Sequence, residues 1–305
     1  MRILVLTILL FSISNSFAAE EGCSKGYSAV LFEEKSGDIL FQKRADLIAY
    51  PASLVKMMTL YLAFEAIENH KLSADQYLVV SQRGEEIAKV NKSNTMRLKA
   101  GDRITVRDAI RAVVVKSFNE AAVTLAEGVS GSEWAFVRKM NEKAAQLGMI
   151  NSSFRNSSGL HEEGQYTTAY DLARLSRAIK EDFPEYYHLF STKEFTYRLV
   201  KYETHNHVLM DYKGAEGMKT GFTNASGFNL ISAAKKQDTR IISVLLGCVS
   251  YQRRDQFTKR LLDDAFEKLE QDRKSHIGLR LNEGFDYKKG SDDETYESEM
   301  RFGMM

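Results

Sequence analysis

Apolar and polar positions alternate at both ends of the chain and recur at helical spacing between them. Residues 27–33, Tyr-Ser-Ala-Val-Leu-Phe-Glu, read as a strand. Ser36-Gly37-Asp38 supplies a turn, and Ile39-Leu40-Phe41 begins a second strand, so this region predicts a hairpin. Pro51 then punctuates the chain, and a helix is expected from Ala52 or Ser53. Thr105-Val-Arg-Asp108 has the spacing of a capping box and predicts a helix running to about Glu127. Ser132 is placed to cap another that ends near Gly148. Thr168-Ala-Tyr-Asp171 opens a third, with Leu172, Leu175 and Ile179 on one face. Strand patterns return at Met218–Thr223, Phe228–Ala234 and Arg240–Leu246, separated by Asn224-Ala-Ser-Gly227 and Lys236-Gln-Asp238. A closing helix is expected over about Arg253–Leu269.

Strands at both ends with helices between them predict an α+β fold. One mixed or antiparallel sheet would be made by the two ends and covered by the first and last helices, with a helical subdomain inserted. The cleft between sheet and subdomain is the natural place for a site. The helix from Ser53 stands out. From Leu54 to Phe64 its apolar residues point in every direction, which predicts burial, and Lys56 and Thr59 are the plain polar exceptions. A buried ammonium must pair or lose its proton, and a lysine with a lowered pKa is a competent general base.

Composition changes the picture little. The chain has 305 residues, 44% hydrophobic and 27% charged, with a formal net charge of +1. That suits a globular protein with a sizeable core and gives no field that would draw it to nucleic acid or anionic lipid. The N-terminus departs from the rest. Met1-Arg2, an apolar run from Ile3 to Phe11 broken only by Thr7, and the small residues around Ser16-Phe17-Ala18 predict a secretory signal over residues 1–18. Later segments contain no run of about eighteen apolar residues, so no transmembrane anchor is expected after cleavage. The mature domain is expected over 19–270, and the polar, partly acidic 271–305 as a flexible tail too short for a second β-domain. Spacing alone favours Cys23 and Cys248 as independent thiols.

Ser53 and Lys56 lie three residues apart, on one helix face and at an electropositive helix start. A capping serine followed by a snorkelling lysine has the same letters, so this pair alone decides nothing. Two further motifs follow in order: Ser117-Phe118-Asn119 after the apolar run 112–115, and Lys219-Thr220-Gly221 at a late strand. Ser-x-x-Lys, Ser-x-Asn and Lys-Thr-Gly together are the set of penicillin-binding proteins and β-lactamases. With Tyr50-Pro-Ala-Ser53, Leu147-Gly-Met, Ser158-Gly-Leu160 and Gly217-Met-Lys-Thr-Gly-Phe-Thr223, residues 27–270 resemble the low-molecular-mass penicillin-binding D-alanyl-D-alanine carboxypeptidases.

The resemblance implies a five-stranded antiparallel sheet flanked by helices, with an inserted all-helical subdomain. It implies that Ser53 attacks the bond between two terminal D-alanines of a peptidoglycan stem, with Lys56 as base. Ser117 would relay a proton and Asn119 would orient the lysine and the substrate. The backbone amides of Ser53 and Phe222 would form the oxyanion hole, beside Gly221, and Lys219, Thr220 and Thr223 would hold the terminal carboxylate. His205 stands where the family often has an arginine for that carboxylate, Glu120 where it has aspartate, and Phe222 where it often has histidine. No metal or cofactor is implied, and His205-Asn-His207 offers no third metal ligand. β-Lactams are expected as covalent inhibitors and the periplasm or cell-wall space as the location. Endopeptidase action on crosslinks and a weakly active penicillin-binding regulatory module remain alternatives, whereas a β-lactamase lacks a second carboxylate base. Because the first and last core strands are neighbours in that fold, a Cys23–Cys248 disulfide stands beside two free thiols as an open alternative.

Overall fold

The computed structural model describes residues 23–90 and 94–283. The expected signal over 1–18 lies outside the described residues, as do residues 284–305 of the expected tail. Strands β1 (Ser28–Glu33) and β2 (Ile39–Lys43) form the predicted hairpin. A 3₁₀ turn over Ala52–Val55 leads into α1 (Lys56–Glu68), and the short strands β3 (Tyr77–Val79) and β4 (Arg103–Thr105) flank α2 (Gln82–Val90). Helices α3 (Val106–Val115), α4 (Asn119–Ser130), α5 (Glu133–Gln146), α6 (Ala169–Asp182) and α7 (Pro184–Tyr187) follow. The small hairpin β5 (Glu194–Tyr197) and β6 (Val200–Glu203) and the single turn α8 (His207–Asp211) lead back to the sheet. Strands β7 (Ala215–Thr223), β8 (Gly227–Lys236) and β9 (Thr239–Cys248) complete it, and α9 (Tyr251–Glu283) is the last element of the described residues.

The main sheet has five antiparallel strands in the order β2-β1-β9-β8-β7. The first and last strands of the domain are thus hydrogen-bonded neighbours, with Ser28 opposite Leu246. β7 is an edge strand, which leaves one of its sides open for other partners. The fold class is the α+β sheet-and-helix arrangement expected from the alternating ends. Two compact units are distinguished, Met1–Ala265 and Phe266–Met305, and the first contains the whole sheet. α9 continues well past Leu269, where the sequence pattern placed its end.

Local chemistry accounts for most of the helix starts. The hydroxyls of Thr105, Ser132 and Thr168 each accept from the amide three residues on, at 3.1, 3.2 and 3.1 Å. Leu172, Leu175 and Ile179 are fully buried, as their spacing on α6 requires. One expectation needs correction. The helix predicted from Thr105 to Glu127 is broken after Val115, and α4 starts afresh at Asn119. Ser117 takes φ +61° in the break, a left-handed conformation uncommon for a residue with a side chain. The break faces inward because the valines before it and Phe118 are core residues. Cys23 and Cys248 form a disulfide that bridges a sequence separation of 225, resolving the cysteine alternatives in favour of the bond.

Candidate active site

α1 is buried on all sides, as its composition requires. Lys56 is fully enclosed, with 0% exposure, among Leu54, Val55, Met57 and Met58. Its Nζ lies 2.9 Å from Ser53 Oγ, donates to Asn119 Oδ1 at 2.8 Å and also donates to the carbonyl of Ser158. Burial, followed by the nearby charge of Lys219, holds its pKa well below the usual lysine range, and Glu120 opposes this in part. A neutral amine in this setting keeps its two N–H bonds on Asn119 and Ser158 and turns its lone pair toward the Ser53 hydroxyl. The chemical consequence is a base poised against an alcohol.

Three backbone segments bring Ser53 into place. Ala52, just before it, has φ +49°. Gly159 has φ +81°, and a Cβ there would fall 2.0 Å from the Ala52 carbonyl, so only glycine fits. Gly221 approaches from the strand side with more room: an added Cβ would sit 3.2 Å from the Ser53 amide nitrogen. The loop carrying Ser158 and Gly159 is held by Asn156, whose Oδ1 accepts from Gly159 N at 2.7 Å. Glu133 Oε1 adds to this by accepting from Ser157 N and Oγ at 3.0 and 2.7 Å. Asn229 on β8 donates to the carbonyls of Tyr50 and Pro51 and accepts from Gly247 N, which ties the segment before Ser53 to the sheet.

The sequence-derived residues converge. Ser53, Ser117, Asn119, His205, Thr220, Gly221, Phe222 and Thr223 line one cleft of about 370 Å³, and Lys56 and Lys219 lie buried beside it. Ser117 Oγ is buried and has no hydrogen-bond partner among the described residues. Lys219 Nζ donates to the Thr220 carbonyl at 2.9 Å, and burial together with the Arg254 charge lowers its pKa to about 7. His205 Nε2 lies 2.8 Å from Thr220 Oγ1. Burial and the neighbouring Lys219 and Lys116 push the His205 pKa down to about 3, so the ring is neutral at ordinary pH and acts there as a hydrogen-bonding group. Glu120 is 1% exposed and points away from the cleft: its Oε1 accepts from Thr95 Oγ1 and Met96 N, both at 2.6 Å.

Sequence reasoning missed part of the opposite wall. His207, Phe228, Tyr251 and Arg254 also line the cleft. Arg254 is buried, with Nε and Nη2 on Asp255 Oδ1 at 2.8 and 2.6 Å and Nη1 on the Asn229 carbonyl at 3.3 Å. No local pattern marks it, because it comes from the first turn of α9, far along the chain from every motif. Among the described residues no group of three or more His, Cys, Asp or Glu side chains is placed to hold a metal ion.

Comparison with known proteins agrees with this geometry. The family model for D-alanyl-D-alanine carboxypeptidase, Peptidase S11, matches residues 15–250. The D-alanyl-D-alanine carboxypeptidase DacD of Escherichia coli K12 is 36% identical over 273 residues, covering 85% of this chain and 70% of that protein. The crystal structure of penicillin-binding protein 5 from Haemophilus influenzae is 35% identical with a TM-score of 0.76, covering 79% of this chain and 70% of that one. Penicillin-binding protein D2 from Listeria monocytogenes, solved in an ampicillin-bound form, is 30% identical with a TM-score of 0.69, covering 78% of this chain and 96% of that one. The chain belongs to the D-alanyl-D-alanine carboxypeptidase family of serine peptidases.

Proposed function

We propose that the protein removes the terminal D-alanine from peptidoglycan pentapeptide stems through an acyl-enzyme on Ser53. The observation that carries this is Lys56: fully buried, 2.9 Å from Ser53 Oγ and with a pKa that burial holds well below the usual lysine range. Neutral Lys56 takes the Ser53 proton as Oγ attacks the carbonyl, a two-residue version of nucleophile-and-base catalysis. The amides of Ser53 and Phe222 receive the oxyanion, each such donor being worth about 3 kcal/mol. Ser117 Oγ, lacking a partner among the described residues, relays that proton from Lys56 to the departing amine, which leaves Lys56 neutral again. Asn119 holds Lys56 in register. Thr220, oriented by His205, and Thr223 meet the terminal carboxylate with Lys219 behind them. Water then attacks the ester, and Lys56 again accepts the proton.

The same geometry supports acylation of Ser53 by β-lactams, as in the ampicillin-bound Listeria relative. The signal-like residues 1–18 and the disulfide support action outside the cytoplasm, in the periplasm or cell-wall space. No helix of the described residues is long and apolar enough to cross a membrane.

The test is to incubate the purified protein with a pentapeptide stem and with a crosslinked dimer and follow the products by mass spectrometry. Loss of one D-alanine from the pentapeptide is the expected result. Cleavage of the dimer alone identifies an endopeptidase. Labelling of Ser53 by a penicillin without turnover of either peptide identifies a binding module, and unchanged turnover in Ser53→Ala removes the mechanism.

A further inference from the structure

Part of the cleft lining is aromatic. Phe222 stacks on Phe228 with ring centroids 4.3 Å apart, Phe228 lies 6.3 Å from Tyr251, and Tyr251 lies 5.2 Å from His207. All four residues line the cleft. Phe222 is 50% exposed and Tyr251 is 41% exposed, so this run is a surface open to a ligand and not a piece of the core. Hydrolysis of a terminal D-alanine has no evident use for it, since the side chain released is a single methyl group.

Strand β7 gives the run its direction. Along an edge strand each residue advances about 3.3 Å. Phe222 marks the oxyanion position, and Thr220 with Lys219 marks the terminal carboxylate two to three residues back. The residue that leaves therefore lies between those points, in the cleft that Phe228, Tyr251 and His207 also line. Arg254 sits at the far end. Its Nε and Nη2 edge is taken by Asp255, and one N–H on each Nη remains beyond the bond to Asn229. A carboxylate beside Arg254 and Lys219, with rings alongside, is the receptor for an amino acid whose side chain is large and apolar.

We propose that the leaving-residue side of the cleft accepts terminal D-amino acids with large apolar or aromatic side chains, Phe228, Tyr251 and His207 taking the side chain while Lys219 and Arg254 hold the carboxylate. This rests on the carboxypeptidase reading and extends its substrate class. The chemistry is unchanged. The same amide C–N bond breaks, Ser53 Oγ takes the acyl group, and the amine leaves with a proton. Water then supplies hydroxyl to the acyl carbon and returns a proton through Lys56.

The experiment compares acyl-D-alanyl peptides ending in D-alanine, D-leucine and D-phenylalanine, reading kcat/KM from the amino acid released. The wild type is expected to cleave the D-phenylalanine peptide within tenfold of the D-alanine peptide. In Tyr251→Ala the ratio of D-phenylalanine to D-alanine kcat/KM is expected to fall about tenfold, the size of one lost aromatic contact with its buried area. Because the readout is a ratio, a general loss of activity or folding does not move it. A wild type that cleaves the D-alanine peptide but leaves D-phenylalanine uncut overturns the inference alone. So does an equal loss on both peptides in Tyr251→Ala. A wild type that cleaves none of the three overturns the carboxypeptidase reading with it.

Discussion

The two walls of the cleft are built on different plans. The wall of α1, the Ser117 break and the Ser157–Gly159 loop is closed. Lys56 is enclosed there and three-coordinate, Thr59 Oγ1 donates to the Ser157 carbonyl at 2.7 Å, and three positive φ angles cluster at Ala52, Ser117 and Gly159. The wall of β7, α8 and the start of α9 is open. Phe222, His207 and Tyr251 are exposed, His205 makes a single bond to Thr220, and buried Arg254 alone among these side chains is pinned by several, to Asp255 and Asn229. Strain and burial serve the reacting atoms, where a shift of a fraction of an ångström matters. Exposure serves recognition, where different substrates must enter and products leave.

The sharpest break of that contrast is chemical. Ser53→Ala is expected to lower D-alanine release on the order of 10⁴-fold or more, and Lys56→Ala by a comparable factor, because nucleophile and base act as a unit. Turnover assays on the pentapeptide read both. An effect of Lys56→Ala near tenfold would reduce the closed wall to scaffolding. The next effect is structural. Gly159→Ala forces a side chain against the Ala52 carbonyl at a left-handed position, and a loss of about 2–4 kcal/mol is expected in denaturant unfolding. The equivalent change in the open wall, His207→Ala, removes a half-exposed contact to Asp255 and is expected to cost under about 1 kcal/mol.

The sheet and most capped helices were legible from alternation and from Ser/Thr at helix starts, because those signals are local. The break at Ser117 was not. The run Ala112–Val115 continues helical spacing, and nothing in Lys116-Ser-Phe announces that a left-handed residue interrupts it. The β3–β4 pair, which flanks α2, and the β5–β6 hairpin are too short to show a period. In the site, each motif residue on the closed wall was visible because its chemistry is encoded within three or four positions. Arg254, Tyr251 and Phe228 were not visible, since only the packing of α9 and β8 brings them to β7. The two walls thus differ in legibility for the same reason that they differ in construction.

A smaller effect sharpens the comparison through pH. Lys219 titrates near 7, so its charge is present below that pH and is lost above it. KM for a stem with a free carboxylate is therefore expected to rise several-fold between pH 7 and 8.5, while the same stem as a terminal amide shows no such rise. His205, with a pKa near 3, contributes no inflection to this profile between pH 5 and 9. For stability the sign is separate. Between 3 and 6.5 the unfolded chain binds a proton at His205 that the folded chain does not, so this residue lowers stability as the pH falls through that window. Thermal unfolding of His205→Asn against pH measures that contribution.

The pairing of β1 with β9 also sets an order of events. The first strand made must wait until nearly the whole domain has been synthesised before its long neighbour exists, so the sheet cannot be completed early. The bond between Cys23 and Cys248 fastens that same seam, and thiols join only where the surroundings are oxidising. The chain thus carries its own latch. It is open while the thiols are reduced and locked where they are oxidised, which makes the locked form a chemical record of its surroundings.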